Sequence, residues 1–342
     1  MAFVDSRRAG GAVPRHIAAL AVLIAVFLWP ALALAGTGPA LLGSAANSTS
    51  LSGATSVAVS GSDAWTTAYW PGQLTAVDFS NPSAPSVAGF TAATSSLQNG
   101  SNVTISGSDA FVVSKNRNAS TASNDDGSGN SLTEVDISNP AAPVVVGSLH
   151  SAANLFGAYG IAVQGGYAFV ASQGLLGSGQ PSVPDTSTGS FSVIDVSSMQ
   201  VVAHLDNGSL PPPWTGKNVF DHATSVAIAG HYAYVTAFDN ARVTVVDISN
   251  PLTPTIVASL QDATNLAFPA DLAVAGHYLY VAVQTGAFSP QFAEVDISNP
   301  ANPTVVATLN SSLLYGAYRI RVRGDFAYVA ASGASGVAMI DV

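Results

Sequence analysis

One short string recurs from end to end of the chain, and nothing else in the sequence limits its fold so strongly. It first reads Val77-Asp78-Phe79-Ser80-Asn81-Pro82. It returns as Val135-Asp136-Ile137-Ser138-Asn139-Pro140, Ile194-Asp195-Val196-Ser197-Ser198, Val246-Asp247-Ile248-Ser249-Asn250-Pro251 and Val295-Asp296-Ile297-Ser298-Asn299-Pro300. A sixth copy, Ile340-Asp341-Val342, stands at the end. The aspartates are 58, 59, 52, 49 and 45 residues apart. Self-similarity at such a period means stacked units, each too thin to bury its own apolar face.

Each unit carries more than the aspartate string. Upstream lie Val57-Ala58-Val59-Ser60-Gly61, Val103-Thr104-Ile105-Ser106-Gly107, Ile161-Ala162-Val163-Gln164-Gly165, Val226-Ala227-Ile228-Ala229-Gly230, Leu272-Ala273-Val274-Ala275-Gly276 and Ile320-Arg321-Val322-Arg323-Gly324. An alternating segment such as Tyr232-Ala233-Tyr234-Val235 follows the glycine, and a short apolar run such as Val144-Val145-Val146 follows most Asn-Pro pairs. The period-2 patterning between turn residues predicts four short strands per unit. We label them A (the Val-Ala-Val string), B (Tyr-Ala-Tyr-Val), C (ending in Val-Asp) and D (after the proline). Four-stranded repeats of this length are the blades of a β-propeller. The expected fold is therefore all-β, a six-bladed propeller of four-stranded antiparallel blades.

The ends of the chain suggest how the ring closes. The last unit stops after strand C, and the first is preceded by an unpaired D-like stretch, Pro39-Ala40-Leu41-Leu42-Gly43. Pairing of that N-terminal strand in the last blade would complete the sixth sheet and protect its edge.

The Val-Asp-Ile-Ser-Asn-Pro-x-x-Pro string, with Gly-x-x-Ala-Tyr-Val upstream, resembles the LVIVD repeat family of β-propellers. The likeness covers residues 36–342, and unit three departs from it at Ser197-Ser198-Met199. The resemblance implies an extracytoplasmic or surface-associated propeller and brings no catalytic residues with it.

Composition agrees with a sheet-built core. Apolar residues make up 48% and charged residues 9%, which leaves too few charges to solvate many helix faces. With no cysteine, thiolate metal sites, thiol catalysis and disulfides are excluded. Residues 1–35 read as a signal peptide. Arg7, Arg8 and Arg15 precede the apolar run Ile17 to Trp29, and Ala33-Leu34-Ala35 supplies a cleavage site. An uncleaved signal anchor is the alternative, and only that would attach the chain to a membrane. Without the leader, 7 basic and 19 acidic side chains remain, a net charge of −12. Such a body repels phosphate backbones, so no nucleic-acid partner is expected. A secreted or cell-surface monomer is.

The repeated aspartate is tempting as a metal ligand. Its place before Ser-Asn suits it better to accept backbone N–H bonds in the C-to-D turn. No cofactor is expected. Calcium at the oxygen-rich 124–130 loop or at the channel mouth is the alternative to that, although the loop misses the twelve-residue pattern at Glu134 by one. No Gly-x-Ser-x-Gly elbow anchors a hydrolase triad.

Departures from the repeat carry more information. Arg321 replaces the Ala or Thr of five other inner strands, Arg319 and Arg323 share its face, and Asp271 occupies the place of Arg319 one blade earlier. An interblade Arg–Asp pair and an anion site are the two readings. The D-to-A and B-to-C loops emerge on one face and hold insertions at about 115–131, 172–190 and 206–222. They also hold the unpatterned aromatics Tyr159, Trp214, Phe220, Phe268, Tyr315 and Tyr318, which either form a binding surface or plug the channel mouth and pack under the loops.

Two functions follow. The first is a non-catalytic scaffold that binds protein or glycan through the insertion-rich face; deleting the 115–131 or 206–222 insertion should then abolish binding without unfolding the ring. The alternative is a propeller enzyme of lyase, lactonase or hydrolase type, with a metal or anion at the channel mouth. Asp221, His222, Asp271, Arg319 and Arg321 would have to converge there.

Overall fold

The computed structural model describes residues 42–70, 72–116, 125–174, 189–284 and 291–342. The leader, residues 39–41 of the closing segment, Asn124 and parts of the first two insertions lie outside them. Every described strand belongs to the unit Ala45–Val342.

That unit is the expected six-bladed propeller. Five sheets have four antiparallel strands in chain order, and the sixth has three among the described residues. Blade five shows the pattern: A is Pro269–Ala275, B Tyr278–Val283, C Phe292–Asp296 and D Thr304–Leu309. Helical content among the described residues is limited to 3-10 turns such as Ser95–Leu97, and none of their helices is long and apolar enough to cross a membrane.

One packing rule joins consecutive blades. The aromatic in strand B of each blade lies in a buried cluster with the aliphatic residue of strand A in the next. The pairs are Trp65 with Val103, Phe111 with Ile161, Phe169 with Val226, Tyr234 with Leu272, and Tyr280 with Ile320. Antiparallel pairing sets each aromatic opposite a small residue of its own strand A on the same sheet face: Ala58 by Trp65, Thr104 by Phe111, Ala162 by Phe169, Ala227 by Tyr234 and Ala273 by Tyr280. Period-2 alternation turns the neighbouring aliphatic of strand A to the opposite face. A fully buried aromatic of this kind contributes on the order of 2–3 kcal/mol.

The rule lapses between blades six and one. Tyr328 is 39% exposed and Val57 54%, whereas Val103, Ile161, Val226, Leu272 and Ile320 are exposed by 6% or less. The expected fourth strand of blade six is not formed by the described residues, since Leu42 to Asn47 lie in no strand. The seam is therefore the least packed interface, because apolar side chains on both of its flanks still face solvent.

The repeated aspartates do make turns. Asp78, Asp136, Asp195, Asp247 and Asp296 each accept the backbone N–H two residues on, at 2.7–2.9 Å. Asn81, Asn139, Asn250 and Asn299 repeat the motif at 3.2 Å. Unit three keeps its turn without Asn-Pro because Asp195 also accepts from the Ser197 hydroxyl and Ser198 N–H.

Candidate functional site

In all six blades the N–H of the residue after strand B donates to the carbonyl of the residue before strand A. The pairs are Tyr69 to Gly53, Lys115 to Asn99, Gln173 to Gly157, Phe238 to His222, Gln284 to Phe268 and Ser332 to Gly316. This bond ties the two kinds of loop to one face. His222 there has φ 50°, in the left-handed region where the equivalent Gly53, Gly157 and Gly316 sit without strain.

Directly after that bond, every strand A carries a β-bulge, for example between Pro269 and Asp271 or between Ala317 and Arg319. The extra residue of a bulge is unpaired and re-aimed. In blades three and six it is Tyr159 and Tyr318. Their hydroxyls hydrogen-bond to each other, so a bar crosses the channel mouth between opposite blades. The Arg319 guanidinium lies 5.1 Å from the Tyr159 ring centre and 5.2 Å from that of Tyr318, and Lys115 Nζ lies 4.8 Å over Tyr159. Such contacts draw the cations onto the negative ring faces. Lys115 Nζ also donates to Gln173 Oε1 at 3.4 Å, and Arg319 Nη2 to the Ser101 carbonyl at 3.5 Å. Burial pushes the Tyr318 phenol above its ordinary pKa.

Below the bar lies a cavity of about 680 Å³ lined by the six A strands. Asp271, almost fully buried, accepts from Ser225 Oγ at 2.6 Å, Ile320 N–H at 3.0 Å and Arg321 Nη1 at 2.9 Å, with Arg319 Nη1 4.0 Å away. The interblade ion pair read from the sequence is thus formed, and it leaves two guanidinium groups on one carboxylate.

The remaining candidates do not converge on this point. Asp221 is buried and accepts from Asn240 Nδ2 at 2.6 Å, and His222 Nδ1 is 3.0 Å from Asp239. Trp214 is half-buried against the cluster of Val219 and Phe220, with Lys217 Nζ 5.2 Å over its ring. Phe268 and Tyr315 stay exposed, at 43% and 46%, and Trp70 joins them at 64%. The six aromatics singled out in the sequence therefore divide: Tyr159 and Tyr318 meet across the channel, Trp214 and Phe220 pack within the 206–222 segment, and Phe268 and Tyr315 face solvent beside Trp70. Because Leu210, Val219 and Phe220 belong to the core, deletion of 206–222 would unfold blades three and four, contrary to expectation. Lys115 and Gln173 were not singled out from the sequence. The position after strand B lies outside the repeat strings, and since Gln284 and Ser332 are polar there too, polarity alone does not mark these two.

Two arrangements imitate chemistry. Ser192 Oγ is 2.9 Å from His204 Nδ1, and His204 Nε2 is 3.6 Å from Asp206. Yet Ser192 is fully buried and donates to the Asn154 carbonyl at 2.7 Å, just as Thr75 does to Ser50 and Thr244 to Val219. It anchors a loop. In the oxygen-rich loop, Asp125 accepts from Asn116, Asn130 and the Gly127 N–H and lies 3.1 Å from His150. Burial would raise its carboxyl, but these donors hold it below its ordinary pKa. A cation there would have to displace them.

Comparison with known proteins agrees with the geometry. The model of the LVIVD repeat matches residues 53–91, 127–150, 157–176, 221–262, 269–311 and 316–342. No curated protein matches the chain. Among solved structures, a candidate 6-phosphogluconolactonase from Bacteroides fragilis NCTC 9343 superposes with TM-score 0.60 at 11% identity, over 84% of this chain and 79% of that one. The Neurospora crassa Pan2 WD40 domain gives TM-score 0.52 at 13% identity, over 81% and 72%. The computationally designed Ika8 protein gives 0.56 at 12%, over 84% and 71%. At such identities these likenesses show the propeller fold alone.

Proposed function

This chain belongs to the LVIVD repeat family, and from that premise we propose that it is an exported or cell-surface scaffold that binds a protein or glycan, without catalysis, through its loop face. The observation that supports this reading is the Tyr159–Tyr318 bar. It spans the channel at the loop face, and on that basis we read this face as a rimmed platform more than a cleft. Exposed Trp70, Phe268 and Tyr315 stand on the platform; flat aromatic side chains at low entropic cost suit sugar faces and protein surfaces alike. The acid–base candidates are engaged with internal partners, as Asp271 is with Arg321 and Asp221 with Asn240.

The test compares residues 36–342 with a Trp70→Ser/Phe268→Ser/Tyr315→Ser variant on a glycan array and against surface proteins of the producing cell. Saturable binding that drops at least tenfold in the variant, at an unchanged melting temperature, is expected. Binding that survives the triple change would remove the loop face from consideration.

A further inference from the structure

The barred channel has a second end. Along the A strands burial declines away from the bar: Ile161 is 6% exposed, Ala162 and Val163 are half-buried and Gln164 is exposed, and blade two repeats this from Val103 to Ser106. The cavity is thus a well that widens toward the A-to-B turns, on the face opposite the loops, and Val57 and Val59 on its wall also face solvent at the seam between blades six and one. Its wall is mostly apolar, with Val57, Ile161, Ala162, Ala227 and Ala273 among the lining residues.

Among the well's described lining residues, Arg321 is the one cation. Arg321 is 60% exposed although it stands in a channel strand. It is held by a single nitrogen, Nη1, which donates to Asp271 at 2.9 Å and to the Ile320 carbonyl at 2.6 Å. Nε and Nη2 make no hydrogen bond among the described residues. Those two N–H groups form the fork that matches a carboxylate's two oxygens. Asp271 balances only one of Arg319 and Arg321, so the inner end of the well is net positive within an acidic protein.

We infer that the well binds a monocarboxylate with an apolar body, its carboxylate seated on Arg321 and its body along the alanine-lined wall. A dianion such as a phosphate monoester would meet one free fork and a strongly negative molecule, whereas a monoanion gains the fork and buries its apolar part. This site is independent of the loop-face reading.

The probe is 4-phenylbutyrate with its neutral isostere 4-phenylbutanamide, titrated calorimetrically into residues 36–342. The acid binds at one saturable site and the amide at least tenfold more weakly. In Arg321→Gln the acid falls to the level of the amide, and Arg321→Lys, which keeps the charge without the fork, lies between. A second variant, Thr104→Phe, fills the well from blade two, away from the ion pair, and abolishes binding of both, so the test survives if Arg321→Gln fails to fold. Trp70→Ser/Phe268→Ser/Tyr315→Ser leaves acid binding unchanged. Absence of saturable binding, equal binding of acid and amide, or an unaffected Arg321→Gln overturns the inference.

Discussion

Tyr159 and Tyr318 join hydroxyls across the channel although 159 residues separate them in the chain. Each is the unpaired residue of a β-bulge at the head of its inner strand, so two local irregularities in opposite blades create one long-range contact. Removing one hydroxyl leaves the other partly buried without its partner. Tyr159→Phe or Tyr318→Phe should each cost about 1 kcal/mol, and the double change should cost less than the two together. Urea denaturation of the four proteins checks this; strict additivity would mean that the hydroxyls do not interact.

The same bar has a pH signature. Burial raises the Tyr318 pKa in the fold above its ordinary value of 10. The unfolded chain therefore loses that proton first, and the stabilising contribution, complete below pH 10, disappears as pH climbs through the folded value. Melting temperature should drop above pH 10, less steeply in Tyr318→Phe. Identical slopes would contradict a phenol partly desolvated in the fold.

At the acid end the repeated turns act in the opposite sense. Hydrogen bonds from Ser138 lower the Asp136 pKa, and Ser80, Ser197 and Ser298 do the same for Asp78, Asp195 and Asp296. A depressed folded pKa gives stability that is present above the unfolded value near 3.8 and fades as pH falls through the folded one. Stability should decline below about pH 4 as these turns protonate. Asp136→Asn should lower it at pH 7 and flatten the acid limb; an unchanged acid limb would remove these turns as its cause.

Asp271 and Arg321 should respond asymmetrically. Asp271→Ala strips the buried Ser225 hydroxyl and Ile320 N–H of their acceptor and leaves two arginines facing each other, at a cost of about 3–5 kcal/mol. Arg321→Ala removes a group that is 60% exposed, and its cost should be about 1 kcal/mol. Equal losses by chemical denaturation would show that the pair is not arranged in this way.

The seam offers a direct measure of ring closure. Val103→Ala removes buried methyls beside Trp65 and should cost about 1–3 kcal/mol, while Val57→Ala, at an exposed position, should cost less than about 0.5 kcal/mol. Matching costs would show that blades six and one pack against each other in solution as the other pairs do.

Strand order, blade number and the aspartate turns were legible in the sequence because each is a local or periodic property. Alternation assigns Trp65 and Val103 to a buried face, and Asp136 bonds only two residues ahead. An Arg–Asp pair between blades five and six was legible too, since adjacent blades bring their A strands side by side, although Asp271 hydrogen-bonds Arg321 and not its equivalent, Arg319. What the tertiary structure alone decided is which loop aromatics become wall, bar or surface. The bulges that aim Tyr159 and Tyr318 leave no mark in composition, and Lys115 reaches the Tyr159 ring only because the ring curves blade two against blade three. Periodicity fixes what a residue faces within its own sheet; the curvature of the whole ring selects the partner it meets across the channel.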